Sequence, residues 1–75
     1  MENEKDTLEK IGKKLKKLRI KKGYKSHEIF AYDHDISRVH YWRMEKGVTN
    51  ITIKSLLKVL SIHKITVQEF FCKDF

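Results

Sequence analysis

At 75 residues the chain has room for one domain, near the size at which a single hydrophobic core is only marginally sufficient, and no room for a second, sensing domain. Seventeen Lys and Arg against ten Asp and Glu leave a formal net charge of +7, which fits either a polyanionic partner or a solubilising shell, so position has to decide. A lone cysteine, Cys72, excludes an internal disulfide and points to a reducing, cytoplasmic setting; no apolar run approaches the roughly 18 residues of a membrane span, and the N-terminus lacks a signal peptide's apolar core.

Residues 1–6 are polar and acidic and read as a disordered tail ahead of a single domain over residues 7–75. Leu8, Ile11, Leu15 and Leu18 recur at three- and four-residue steps, and Asp6 with Glu9 makes a capping pair, so a first helix is expected over residues 7–22, ended by Gly23. Ser26 caps a second helix with Ile29, Phe30 and Ala31 as its apolar face, closed by His34-Asp35. The third runs from Ser37 to Lys46 and stops at Gly47. Residues 48–51 form a loop, and Thr52 caps a fourth helix through Ile53, Leu56, Leu57, Val59 and Leu60. The alternative, a β-branched strand over residues 48–53, is interrupted by Asn50 and two threonines and has no second strand to pair with. Thr66-Val67-Gln68-Glu69 is a capping box opening a short fifth helix with Phe70 and Phe71. Two stretches echo each other, His34-Asp35-Ile36-Ser37 and His63-Lys64-Ile65-Thr66, each setting a turn, an apolar anchor and a cap before a new helix.

The third helix carries two unlike faces. At 100° per residue Tyr41 and Met44 fall together with Ser37, while Val39, Trp42, Arg43 and Lys46 gather opposite, with Arg38 at the border. A solvated face rarely holds an indole between two guanidiniums. Arginine offers a planar fork of donors that matches guanine O6/N7 or a phosphate, and Val and Trp offer apolar surface to a thymine methyl or a sugar.

With the second helix, a tight turn and the third helix in place, the chain resembles the Cro and phage-repressor (XRE) type of helix-turn-helix DNA-binding protein. The matching residues are Ile11, Leu15-Lys16-Lys17-Leu18-Arg19, Gly23-Tyr24, Ser26-His27-Glu28-Ile29-Phe30-Ala31, Ile36-Ser37-Arg38, Met44-Glu45-Lys46-Gly47, Leu56-Leu57 and Glu69-Phe70-Phe71. They span about four fifths of the chain in the family's order and nearly its spacing. The resemblance implies an all-α, compact five-helix, lambda-repressor-like domain with the helix-turn-helix at helices two and three. It also implies an ion pair between Arg19, late in helix one, and Glu45, late in helix three, fixing the recognition helix's orientation. The chain departs from the pattern where His34-Asp35 and His63-Lys64 replace Leu-Gly, and it has one extra residue around Tyr24-Lys25. Asp tolerates a left-handed backbone better than Lys does, so the second turn is expected to differ in shape, with His34 and His63 as partly buried packing residues.

Carried onto this chain, the family's docking puts residues 37–46 in the major groove of double-stranded DNA, with Arg38, Val39, Trp42 and Arg43 at base edges. Trp42 has two options: packing on a sugar or thymine methyl, or turning back to cover the loop after Gly47. Phosphate contacts are expected from Ser26 and His27, where free amides at the start of helix two favour an anion, and from Ser37, Lys46, Thr49, Asn50 and Lys54. The helix-one lysines lie on every side but the apolar stripe and read mostly as a solvated shell. One such domain reads few base pairs, so a homodimer on a pseudo-palindrome is expected, with Phe70, Phe71 and Phe75 as dimerisation candidates or, for one of them, a core plug.

The rival reading is a protein-interaction module, an antitoxin or adaptor that uses the same fold to grip a protein partner. Enzymatic readings fare worse. Cys72 and His63 as nucleophile and base, or His27, His34 and His40 as metal ligands, lack any supporting CxxC, HExxH or Gly-rich phosphate loop, so neither a catalytic group nor a metal or other cofactor is expected.

Overall fold

The computed structural model describes residues 3–48 and 50–72. Five helices follow one another: α1 (Glu4–Lys21), α2 (His27–Asp33), α3 (Arg38–Lys46), α4 (Ile53–Ile62) and α5 (Val67–Phe70), with no strand among the described residues. None is long and apolar enough to cross a membrane. Val48, Asn50 and Ile51 lie in no regular element, and Thr52 is the cap of α4.

Side-chain caps set most of the boundaries. Ser26 Oγ accepts from the Glu28 and Ile29 amides, Ser37 Oγ from His40, and Thr52 Oγ1 from Ser55. Thr66 and Glu69 exchange bonds in a complete capping box. The first boundary differs from the expected one. Asn3, not Asp6, is the N-cap, its Oδ1 accepting from the Asp6 amide at 2.8 Å, and residues 4–6, expected in a disordered tail, form the first helical turn. Glu4 and Asp6 sit in that turn where the helix dipole favours negative charge, so the acidic start extends the helix instead of fraying it.

The core is built from Ile11, Leu15, Phe30, Ala31, Tyr41, Met44, Leu56, Val59, Leu60 and Phe70, all buried. Three residues expected on apolar inner faces, Ile29, Ile53 and Leu57, are exposed instead. Each is an outer neighbour on a short helix whose inward positions are already filled by Phe30 and Ala31 or by Leu56, Val59 and Leu60. Phe70 is the reverse case. Proposed from sequence as a dimerisation residue, it is fully buried, with the Lys14 ammonium 5.2 Å from its ring centroid and donating to its carbonyl. Lys14 thus ties α1 to the C-terminal helix and is not part of a solvated shell.

The two echoing turns adopt one geometry. Asp35 and Lys64 both have φ of 57°, and in each the residue after them closes a Schellman motif: Ile36 donates to Ala31 and Ile65 to Leu60. The expectation that lysine would reshape the second turn is therefore wrong. The bond to the carbonyl five residues back and the partial burial of Ile36 and Ile65 against the core outweigh the roughly 1–2 kcal/mol cost of a left-handed non-glycine residue.

His34 and His63 pack as expected. The Phe30 ring has His63 stacked on it at 5.4 Å and His34 tilted against it at 4.7 Å. Burial lowers the His63 pKa from its ordinary value, and the Lys22 ammonium and His34 push the same way. A histidine that binds its proton more readily unfolded than folded leaves stability intact above its unfolded pKa of 6.5 and withdraws it as pH falls below. The urea midpoint should therefore be lower at about pH 5.5 than at about pH 7.5, and His63→Leu should flatten that difference. An unchanged pH slope in the variant would show that His63 does not contribute.

Candidate nucleic-acid interface

What positions α3 is its seat on α1, the most extensive helix contact in the fold. Two glycines permit it. A methyl group at Gly12 would lie 2.8 Å from the Met44 carbonyl oxygen and closer still to that of Glu45, so α1 and the last turn of α3 meet backbone to backbone there. At the end of α3, Gly47 takes φ of 71°, and a methyl group on it would lie 2.8 Å from the Glu9 Cα. Gly12→Ala should therefore lower stability by about 1–3 kcal/mol, as overpacking does, measured by chemical denaturation. A neutral result would mean that the two helices separate at little cost.

Between these contacts lies the ion pair. Arg19 Nε donates to Glu45 Oε2 at 2.8 Å and Nη2 to Oε1 at 3.3 Å, while Nη1 donates to the Tyr24 carbonyl at 2.9 Å. Both side chains are nearly buried, at 5% and 7% exposure. The Tyr41 ring lies buried in the same region, and its phenol pKa is raised by burial first and by the Glu45 carboxylate second. On the side facing α4, His40 Nε2 is 3.3 Å from Ser55 Oγ, within the Thr52 cap.

With Tyr41 and Met44 buried, α3 turns its other face outward. Arg38 and Arg43 are exposed, Val39 is half exposed and Trp42 keeps 41% of its surface. The structure settles the second option for Trp42. Its ring lines a shallow cleft with Lys16, Arg19, His27, Glu45 and Lys46, and the Lys46 ammonium is 5.9 Å from the ring centroid. Val48 and Asn50 instead line a hollow with Glu4, Lys5, Leu8 and Glu9 at the start of α1. Among the described residues, Trp42 is not part of that hollow.

The residues expected to touch phosphate are only partly brought together. His27 and Lys46 share the cleft beside Trp42, and Lys16 of α1 joins them. Ser26 and Ser37 are helix caps whose hydroxyl oxygens accept from the amides of Glu28 and Ile29 and of His40, so those amides are taken while each hydroxyl keeps its own proton to donate. Asn50 is exposed and shares its surface hollow with Glu4, Lys5 and Glu9, a surrounding of mixed charge for a phosphate contact. Lys54 is exposed in the first turn of α4. Thr49 and Phe75 lie outside the described residues.

Sequence reasoning missed three contributors. Gly12 gave no signal because a mid-helix glycine reads as a mere weakness until its neighbour is known. Lys16 was hidden among similar lysines. Glu28 is the third: its carboxylate receives Arg38 Nη1 at 2.9 Å across the helix-turn-helix.

No protein-family model matches the chain. It is 39% identical over 62 residues to the control protein C.MunI of Mycoplasma sp., an alignment covering 83% of this chain and 84% of that protein.

Proposed function

Because this chain belongs to the family that includes the control protein C.MunI, we propose that it is a small transcriptional regulator of the Cro and phage-repressor type, which binds double-stranded DNA site-specifically with α3 in the major groove. The observation that carries this reading is the division of α3: Tyr41 and Met44 are fully buried, while Arg38, Val39, Trp42 and Arg43 stay at the surface of one short, doubly anchored helix. Arg38 and Arg43 read base edges, Val39 meets a thymine methyl, and Trp42 lies against the sugar-phosphate backbone with its far side on Lys46. His27, Lys46 and Lys16 hold the strand beside the cleft, and Lys54 holds the next stretch of backbone.

The protein acts as a homodimer on a pseudo-palindrome, half-site centres about 10 base pairs or a multiple apart. Support comes from apolar surface on the two C-terminal helices, where Ile53 and Leu57 on α4, Val67 on α5 and Phe71 just after it remain exposed. Of the dimerisation candidates Phe70 and Phe71, the latter is the aromatic of that surface.

Selection of random duplexes on purified protein, at two salt concentrations, tests this reading. It should return one twofold-symmetric site, with log affinity falling against log salt at a slope near about −0.9 for each phosphate neutralised. A pool with no preferred sequence would overturn it. A protein whose partner is another protein would keep that partner when Arg38 and Arg43 are both replaced by Ala, whereas a regulator loses its site.

A further inference from the structure

Glu28 is out of place on a face built for a polyanion. It is the second residue of α2, its amide held by the Ser26 hydroxyl, and its carboxylate reaches Arg38, the first residue of α3. A single bond joins them, Arg38 Nη1 to Glu28 Oε2 at 2.9 Å, with the side chains 64% and 55% exposed. So open a pair adds little to folding stability, and although the first turn of α2 favours a negative charge, that preference does not call for a partner on α3.

We propose that Glu28 is a positioning residue that sets base specificity by tethering Arg38, and this rests on the DNA-binding reading above. An untethered arginine on a DNA-facing helix finds an acceptor on almost any phosphate, because its long side chain sweeps a wide arc. Bonding Nη1 to Glu28 occupies one donor and narrows that arc. The remaining donors, on Nε, Nη2 and the second proton of Nη1, then meet an acceptor pair best where a base edge lies in line with the guanidinium plane. The carboxylate also repels phosphates that approach Arg38 off that line. Both effects weaken binding to arbitrary DNA while sparing the correct site. The start points of both side chains are fixed, since α2 and α3 are each capped one or two residues earlier by Ser26 and Ser37.

The test compares the wild type with Glu28→Gln and Glu28→Asp on three duplexes: the selected site, the same site altered at the base pair that Arg38→Ala ceases to discriminate, and a random sequence. Glu28→Gln should bind random duplex about two- to fivefold more tightly and lose a similar factor of discrimination at that base pair. Glu28→Asp retains the charge but is one methylene shorter; it should keep the weak binding to random duplex and still lose the discrimination. In an Arg38→Ala background, Glu28→Gln should change affinity for all three duplexes equally. Circular dichroism and a urea midpoint confirm that each variant is folded. Equal tightening on all three duplexes by Glu28→Gln in the wild-type background would overturn the tether and leave the DNA-binding reading standing. A wild type with no preference among the three would bring down both.

Discussion

Glu45→Ala is expected to lower folding stability by about 3 kcal/mol or more, because it strands the Arg19 guanidinium, 95% hidden from water, with the Tyr24 carbonyl as its one remaining hydrogen-bond acceptor among the described residues. That is a large fraction of the roughly 4–11 kcal/mol available to a domain of this length. Loss should appear in a urea titration as a lower midpoint with an unchanged slope. Glu45→Gln keeps an oxygen for Arg19 Nε and should cost less. The double replacement Arg19→Met with Glu45→Leu removes both charges from the interior and should restore most of the stability. It should not restore sequence discrimination, because the bidentate geometry that fixes the roll of α3 on α1 goes with it. A single Glu45→Ala variant as stable as the wild type would show that the pair is solvated in solution.

The second large effect concerns Arg43. Arg43→Ala should reduce the preference for the selected site by about 5- to 150-fold, the equivalent of about 1–3 kcal/mol for a bidentate guanine contact, and the loss should fall on one base pair of each half-site. Lys54→Ala serves as the contrast. A phosphate contact carries no sequence information, so its removal should weaken every duplex alike and flatten the salt slope by about 0.9. Arg43→Ala behaving like Lys54→Ala would move Arg43 from base reading to charge.

Most of the helix plan was legible because its signals are local. Ser26, Ser37, Thr52 and the Thr66–Glu69 box each bond a backbone amide two or three residues on, and Gly47 takes the left-handed conformation its residue type favours. The ion pair was legible only through the family resemblance, since 26 residues separate its partners. What escaped was what depends on a neighbour from elsewhere in the chain. Gly12 matters because Met44 and Glu45 press on it, Lys14 because Phe70 lies beneath it, and Glu28 because the turn brings Arg38 within its reach. The Lys64 turn teaches the converse: lysine does disfavour a left-handed backbone, but the hydrogen bonds and the partly buried Ile65 that override this preference are set by packing.

The site's electrostatics were legible in the same uneven way. Composition gives the sign of the charge but not its arrangement, and the structure sorts the lysines by role: Lys14 inward to α5, Lys16 and Lys46 beside Trp42, Lys58 on the Asp35 carbonyl at the turn before α3.

The outward face of α3 as the surface that meets DNA is most directly tested by titrating isotope-labelled protein with the selected duplex and following the backbone amide signals. The account predicts the largest changes over residues 38–46, with smaller ones at His27, Glu28 and Lys54 and little along the outer side of α5. Changes centred on α4 and α5, with Arg38 to Lys46 undisturbed, would contradict it.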